Sequence, residues 1–272
     1  MKDYAIILAA DLPDADEVTA VVKEVGGIVD GIKIGVATLL ESGAGIVRRI
    51  RDEIGNRPLL VDLKTADIGF RSTSGWQGTN AKIIRKLAGS GATHVTVHGF
   101  PGAISIAEAV DAAHESRMGV LLLPLMSHSG ASMFFSRPMN RGDLVGGNEE
   151  SGLGMSFPEG VPCNDVTEGI LHLGEALGVA GYIGPATRPN DLERYRTITR
   201  KPIWCPGFGR QDRLGRSLEE QFRQWSRIVG HASAAIVGSA IFGAPDRRAA
   251  AQEIIDLRDR VAGQIRHIDS VS

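Results

Sequence analysis

The feature that most constrains the fold is a regular alternation of short apolar runs with longer segments of helical period, repeated eight times. The apolar runs lie at residues 5–10, 29–34, 59–63, 94–98, 119–124, 180–183, 202–205 and 234–237. The helical segments lie near residues 15–24, 37–52, 79–90, 103–115, 166–178, 190–199, 217–229 and 245–264. Strands that alternate with helices indicate a parallel sheet, and eight repeats favour a closed (β/α)8 barrel over an open doubly wound sheet. We therefore predict one α/β barrel domain over residues 1–272.

One long connection interrupts this rhythm after the fifth predicted strand. Residues 136–165 are rich in glycine, proline and polar side chains and show no helical or strand period. A connection of this length is either a functional lid or a disordered excursion, and composition does not decide between the two. The predicted barrel therefore carries an extended loop after strand five.

Charge and cysteine content limit the classes of partner. The formal net charge of −2 gives no reason to expect a nucleic-acid or membrane partner. Cys163 and Cys205 show no metal-binding or redox spacing, which favours a reduced, cytoplasmic setting. The apolar run near the N-terminus is too short to span a bilayer and lacks a signal-peptide cleavage pattern.

Polar side chains gather at the predicted C-terminal ends of the strands, where the active sites of such barrels lie. Those ends carry Asp11, Lys33, Asp62, Lys64, His98, Ser127 and His128. Neither histidine has a nucleophile or a metal ligand at a useful spacing, so we interpret His98 as a structural residue at a strand end. The carboxylates and lysines remain as the candidate functional groups.

Alternation along the third predicted strand places Asp62 and Lys64 on one face, with Val61 and Leu63 on the other. Lys33 stands between two isoleucines, so its ammonium also points into the barrel. Charges buried in this way need partners, because an isolated buried charge costs several kcal/mol or more. The cluster is either an ion-pair network that fixes barrel geometry or a site of chemistry, and the number of such groups at one barrel mouth favours chemistry.

Several motifs resemble those of the orotidine 5′-phosphate decarboxylase family, most closely its short archaeal-type members. The Asp-x-Lys-x-x-Asp signature is present as Asp62, Lys64 and Asp67. Further matches are "LAAD" at 8–11, "GIKIG" at 31–35, "VHGFPG" at 97–102, "MSHSGA" at 126–131, "YIGPATRP" at 182–189 and "PGFGRQ" at 206–211. Related hexulose-phosphate synthases and keto-gulonate-phosphate decarboxylases share the signature but usually carry a glutamate on strand two. Lys33 and the "MSHSGA" segment therefore favour the orotidylate branch.

The resemblance implies decarboxylation of orotidine 5′-phosphate to uridine 5′-phosphate, as in pyrimidine synthesis, without a metal or organic cofactor. Lys64 would protonate the C6 carbanion, and Asp62 would face the substrate carboxylate. Lys33 would hold Asp62 and the ribose hydroxyls in position. Asp67 would reach across a homodimer interface into the site of the partner subunit.

The resemblance also implies a set of substrate contacts. Ser127 would read the pyrimidine edge, although a serine in "SHSG" is also an ordinary turn residue. Gln211 would bridge base and phosphate from the loop after strand seven, where glycines let backbone N–H groups approach an anion. The full set expected to bind substrate is Asp11, Thr79, Ser127, Pro206, Gly207, Arg210, Gln211, Gly238 and Ser239.

Three departures from the family pattern surround this predicted site. Ser239 stands where the family has an arginine that grips the phosphate, so a charge-assisted contact is replaced by a neutral hydroxyl. Either Arg210, Arg213 or Arg216 supplies the missing charge, or the substrate presents its phosphate differently. Residues 69–78 form an insertion beside Asp67, and residues 136–165 are longer than the family's lid segment.

Two other functions remain open at this point. One is a related barrel decarboxylase or aldolase that acts on a sugar phosphate or a modified nucleotide. The other is a non-catalytic nucleotide-binding homologue, for which the Ser239 change would be suitable. The intact group of Asp62, Lys64 and Asp67 speaks against the second, because binding alone has little use for so costly a set of charges.

Overall fold

A computed structural model describes residues 2–70, 77–138, 164–209, 215–230 and 232–269 of the chain. Most of the two predicted insertions, residues 71–76 and 139–163, lies outside the described residues. Their prediction as insertions into a single domain therefore remains a prediction. Arg210, Gln211 and Arg213 of the loop after strand seven also lie outside the described residues.

Eight parallel strands close into a barrel in sequence order, which confirms the predicted (β/α)8 fold. The strands are β1 Ala5–Ala9, β2 Gly31–Gly35, β3 Leu59–Thr65, β4 His94–His98, β5 Gly119–Leu123, β6 Gly181–Ile183, β7 Ile203–Pro206 and β8 Ala234–Val237. The ring closes where β1 pairs with β8, with Ile6 opposite Ala235. Closure brings all eight C-terminal strand ends to one mouth of the barrel.

Helices follow the strands as the periodicity predicts. They are α1 Ala15–Val25, α2 Val36–Ser42, α3 Gly45–Ile54, α4 Thr79–Ala88, α5 Ala103–Glu115, α6 Ser132–Phe135, α7 Val166–Leu177, α8 Pro189–Ile198, α9 Leu218–Val229, α10 Ser239–Phe242 and α11 Arg247–Asp269. A single helix over 37–52 was expected, and the chain instead forms α2 and α3. Gly43 ends α2 at a φ of +62°, a conformation that glycine adopts without strain.

Local sequence signals explain where the longer helices begin. The Asp14 side chain accepts a hydrogen bond from the Glu17 backbone N–H and caps α1. At the start of α9, Ser217 and Glu220 form a reciprocal capping box. Among the described residues, no helix combines the length and the apolar character needed to cross a membrane.

The barrel encloses an apolar plug beneath a polar mouth. Alternate side chains of the strands point inward, and the buried inward group includes Ile7, Leu60, Leu121, Trp204 and Ile236. The opposite faces of the strands pack against the helices in a second, larger apolar cluster. Because the plug fills the interior below the mouth, a small molecule has access only from the C-terminal ends of the strands.

Candidate active site

A cavity of about 390 Å³ opens at this mouth. Nine of the predicted site residues line it: Asp11, Lys33, Asp62, Lys64, Ser127, Pro206, Gly207, Gly238 and Ser239. Its remaining walls are largely apolar, from Ala9, Leu123, Leu125, Met126, Ile183, Pro185, Phe208, Ile236 and Phe242. A largely apolar pocket with a few convergent charges is typical of a small-molecule site.

The charged side chains form one continuous array on the floor of this cavity. Lys33 Nζ lies 2.6 Å from Asp11 Oδ2 and 3.3 Å from Asp62 Oδ2. Lys64 Nζ lies 2.8 Å from the same Asp62 oxygen. The array therefore runs in alternating sign from Asp11 through Lys33 and Asp62 to Lys64, as the sequence predicted.

Close packing of the backbone brings Asp11 to this array. Asp11 follows the end of β1 by two residues, and its carboxylate lies over Gly35 of β2. A Cβ atom at Gly35 would lie only 2.5 Å from Asp11 Oδ1, so a larger residue there would displace the carboxylate. Gly35 thus leaves the space in which Asp11 meets Lys33.

Strand β3 is bulged where it carries the array. Val61 pairs with Val95 of β4, but the next pair joins Thr65 to Val97. Lys64 lies inside this irregular stretch at a φ of +52°, in the left-handed region that non-glycine residues rarely adopt. Thr96 of β4 faces the bulge, and its hydroxyl donates to Asp62 Oδ1 at 2.8 Å. The sequence prediction missed both the bulge and Thr96.

The lysines hold Asp62 in its ionised form. Burial alone would raise the pKa of Asp62, but Lys33 and Lys64, together with hydrogen bonds from Lys64 and Thr96, lower it below its ordinary value of 3.8. A low pKa means that Asp62 carries its negative charge throughout the neutral pH range. The floor of the cavity therefore keeps a negative charge at Asp62 near neutral pH.

His98 contributes packing rather than charge to the mouth. Its ring stacks on Phe135 with centroids 5.4 Å apart and meets Phe100 edge-on at 4.6 Å. Burial, and then the nearby charge of Lys64, lower its pKa to about 4, so the ring is neutral near neutral pH. Within the described ranges, no group of three or more His, Cys, Asp or Glu side chains is arranged to hold a metal ion.

Glycines and neutral side chains form the end of the cavity near β7 and β8. Gly207 has a φ of +111°, and a Cβ atom there would lie 2.9 Å from Thr187 Cγ2. Ser239 lines this end at the start of α10, together with Phe242. Of the described residues that β7, β8 and the segments following them contribute to the cavity, none is cationic. The predicted contacts from Arg210 and Gln211 lie outside the described residues.

Asp67 and Thr79 do not line this cavity. Both are exposed on the rim beyond β3. The Asp67 carbonyl accepts hydrogen bonds from Asn80 Nδ2 at 3.0 Å and Ser105 Oγ at 2.7 Å. These two buried side chains fix the Asp67 backbone, and the Asp67 carboxylate accepts a hydrogen bond from the Ile68 backbone N–H at 2.8 Å.

Comparison with known proteins agrees with this geometry. A family model described as "Orotidine 5'-phosphate decarboxylase / HUMPS family" matches residues 4–145. The orotidine 5′-phosphate decarboxylase of Pyrococcus abyssi is 30% identical over 253 residues, which cover 92% of this chain and 97% of that protein. The enzyme of the same name from Methanosphaera stadtmanae is 28% identical over 253 residues, with 92% and 95% covered.

A solved structure of a protein with the same name is similar to this chain in its fold. The structure of orotidine 5′-monophosphate decarboxylase from Methanocaldococcus jannaschii, complexed with the inhibitor BMP, matches with a TM-score of 0.71 at 25% identity. The match covers 94% of this chain and 98% of the other. Since the family model spans more than half of the sequence and the relatives match over most of their length, this chain belongs to the orotidine 5′-phosphate decarboxylase / HUMPS family.

Proposed function

We propose that this protein decarboxylates orotidine 5′-phosphate to uridine 5′-phosphate without a cofactor. The observation that carries the proposal is the Asp11–Lys33–Asp62–Lys64 array on the floor of a cavity large enough for a nucleotide. The relatives that share the family are named for this reaction. A reaction in pyrimidine nucleotide synthesis follows from that substrate and product.

Lys64 is the proton donor in this proposal. When the bond from C6 to the carboxylate breaks, carbon dioxide leaves and the electron pair stays on C6. The Lys64 ammonium then transfers a proton to C6 and recovers one from solvent. A fixed cation beside the developing carbanion stabilises it without reorganisation during the reaction, which is the larger part of such catalysis. Lys64 lies 2.8 Å from Asp62 and is held in place for this role.

Asp62 contributes through its fixed negative charge beside the substrate carboxylate. Two like unit charges about 4 Å apart repel by roughly 4 kcal/mol at an effective dielectric constant near 20. That repulsion disappears as neutral carbon dioxide departs, so it favours the transition state over the bound substrate. Lys33 keeps Asp62 ionised and, with Asp11, provides hydrogen-bonding groups for the ribose hydroxyls.

The phosphate end of the site is the part in which this chain differs from its family. We place the phosphate near Gly207, Gly238 and Ser239, which line the cavity, because glycines allow an anion to approach backbone N–H groups. Ser239 carries no charge, so we propose that an arginine of the adjoining loop binds the phosphate instead. The candidates are Arg210, Arg213 and Arg216. Arg216 is the weakest of the three, because its guanidinium already donates to the Gln224 side chain.

Alanine substitution of Arg210, Arg213 and Arg216, one at a time, is expected to raise KM for orotidylate in one variant by about 10- to 100-fold, the value of a charge-assisted hydrogen bond. The Arg223→Ala variant is the matched control, because Arg223 pairs with Glu219 on α9. Steady-state kinetics on the four variants makes the comparison. Unchanged KM values in all three loop variants would show that none of these arginines holds the phosphate.

A homodimer with shared sites is the second element of the proposal. Every exposed large apolar side chain of the described residues follows one of the strands β2 to β5. These residues, here called the rim patch, are Val36, Leu40, Ile68, Phe70, Phe100, Met133 and Phe134. An apolar patch of this kind on a rim is typical of an interface with another chain. Asp67 and Thr79 adjoin it, and we place both in the site of the partner subunit.

Mixing two inactive variants tests the shared site. If Lys64 of one chain and Asp67 of the other complete one site, Lys64→Ala mixed with Asp67→Ala yields mixed dimers with one intact site. Subunit exchange should then restore about a quarter of wild-type activity. The control mixture joins Lys64→Ala with Asp62→Ala, two lesions on the same side of the site, and should stay inactive. Absence of recovery in the first mixture, with exchange verified by mass, would contradict the shared site.

The direct test of the proposed function is a turnover assay that compares orotidylate with unphosphorylated orotidine. We expect loss of the orotate chromophore with orotidylate in buffer containing a chelator, and a much slower reaction with orotidine. Binding of uridylate without turnover would instead identify a non-catalytic homologue. Consumption of a sugar phosphate, with orotidylate untouched, would favour the related barrel decarboxylases and aldolases.

A further inference from the structure

The bulge in β3 gives one residue of β4 an unusual position. Between the pairs Val61–Val95 and Thr65–Val97, β3 contains three residues and β4 contains only Thr96. The three residues include Asp62 and Lys64, which form an ion pair of the array at 2.8 Å. Thr96 is therefore the residue that faces the reactive stretch across the sheet, and only 1% of its surface is exposed.

Both hydrogen-bonding functions of the Thr96 hydroxyl are used at this point. The hydroxyl donates to Asp62 Oδ1 at 2.8 Å and accepts from the Lys64 backbone N–H at 2.8 Å. The second bond replaces a ladder partner at the bulge, where a buried N–H without an acceptor would be costly. A hydroxyl has one hydrogen and two lone pairs, so the two bonds are compatible and define its direction.

These two bonds determine the geometry of the array. Since Thr96 occupies Asp62 Oδ1, the other carboxylate oxygen is left for both lysines, at 2.8 Å from Lys64 and 3.3 Å from Lys33. The bond to the backbone holds Lys64 at its positive φ, a conformation that non-glycine residues rarely adopt. Thr96 does not itself line the cavity.

We infer that Thr96 is a positioning residue that fixes the Asp62 carboxylate and the Lys64 backbone for the reaction, without touching substrate. The inference rests on the proposed function, because it concerns the proton donor of that reaction. A hydroxyl with this pair of bonds links donor and carboxylate rigidly, so that both keep their orientation when substrate enters. Loss of such support displaces a reacting group by a fraction of an ångström to an ångström, which is enough to slow a reaction substantially.

The test compares Thr96→Val, which keeps the shape and removes both bonds, with Thr96→Ser, which keeps the hydroxyl. We expect kcat for orotidylate to fall by about 100-fold in Thr96→Val, with KM changed by less than about twofold because no substrate contact is lost. Thr96→Ser should recover most of kcat. In Thr96→Val the acid limb of kcat/KM should also move to higher pH, because one of the hydrogen bonds that lower the Asp62 pKa is gone.

Thr199→Val is the matched control for a lost buried hydroxyl. Thr199 is also 1% exposed, donates to Glu175 Oε1 at 2.7 Å and accepts from the Lys201 N–H at 3.0 Å. It precedes β7 and so lies at the opposite end of the barrel from the site. Its variant is expected to lose stability while keeping kcat.

The activity of the wild-type protein distinguishes failure of the proposed function from failure of the proposed role of Thr96. An inactive wild-type protein would overturn the proposed function, whereas an active wild type with an equally active Thr96→Val would overturn only the role of Thr96. Equal losses in Thr96→Val and Thr96→Ser would also overturn it, since packing rather than hydrogen bonding would then be the cause. If Thr96→Val does not fold, Thr96→Ala and Thr96→Ser provide the same comparison.

Discussion

Replacement of Lys64 by alanine is expected to lower kcat for orotidylate by about 10,000-fold, the upper range for loss of a general acid. The variant loses both the proton for C6 and the cation that stabilises the carbanion. The fold should remain, because the Lys64 side chain is 38% exposed and Asp62 keeps Lys33 and Thr96 as partners. Steady-state assays at high enzyme concentration, with circular dichroism of the same samples, measure both quantities.

A second lysine variant controls for the loss of a charge. Lys23 pairs with Glu53 across the outer helices α1 and α3, at a distance of 3.4 Å, and is 60% exposed. Lys23→Ala should therefore have wild-type kinetics. Unimpaired turnover in Lys64→Ala would exclude Lys64 as the proton donor, whatever the outcome at other positions.

Replacement of Asp62 by asparagine is expected to lower kcat/KM by about 1,000-fold, as for loss of a preorganised group at a reacting centre. Asparagine has nearly the same shape and still offers an oxygen to Thr96, but it removes the charge that lies between the two lysines. Asp16→Asn is the matched control, because Asp16 pairs with Arg49 on the protein exterior. Wild-type kcat/KM in Asp62→Asn would contradict the proposed role of the charge.

The same variant has a pH-dependent effect on stability with a defined sign. Because the lysines lower the pKa of Asp62 in the folded protein below its ordinary value of 3.8, the ionised form stabilises the fold above that value. This contribution is lost as the pH falls through the folded-state pKa. The difference in unfolding free energy between wild type and Asp62→Asn, measured with denaturant, should therefore be largest near neutral pH and shrink in acid.

Much of the fold could be predicted from the sequence because periodicity reports which face of each element is buried. The bounds of the fourth and eighth strands agree with the structure at both ends, at 94–98 and 234–237. The prediction of one helix over 37–52 was wrong, because the helix is interrupted at Gly43. The glycines of "SGAG" at 42–45 indicate such a break. Apolar period alone does not detect such a break, since apolar residues occur on both sides of it.

The charge array could also be predicted, because Lys33, Asp62 and Lys64 occupy strand positions where an unpaired charge would be intolerable. The bulge that orients them could not. Register depends on the partner strand, and one sequence contains no signal for the three residues of β3 that stand opposite Thr96. Threonine is common in strands because it packs well there, so the sequence does not distinguish Thr96 from an ordinary strand residue.

The sequence likewise does not predict that Asp67 and Thr79 lie outside the cavity. Asp67 belongs to the Asp-x-Lys-x-x-Asp motif, yet it lies on the rim while the first two members lie in the cavity. The strand ends at Thr65, two residues before Asp67, so the alternation along the strand no longer places the Asp67 side chain. In the proposed homodimer, that carboxylate would enter the site of the partner subunit.

The central claim is that an array of opposed charges surrounds the carbon that loses carbon dioxide, with the Lys64 ammonium ready to protonate it. Turnover of orotidylate in deuterium oxide, followed by proton NMR, tests this most directly. The exchangeable Lys64 ammonium then carries deuterium, so we expect the orotidylate to be converted to uridylate that bears deuterium at C6 and lacks the H6 signal. Folded wild-type protein that leaves orotidylate unchanged under these conditions would contradict the account.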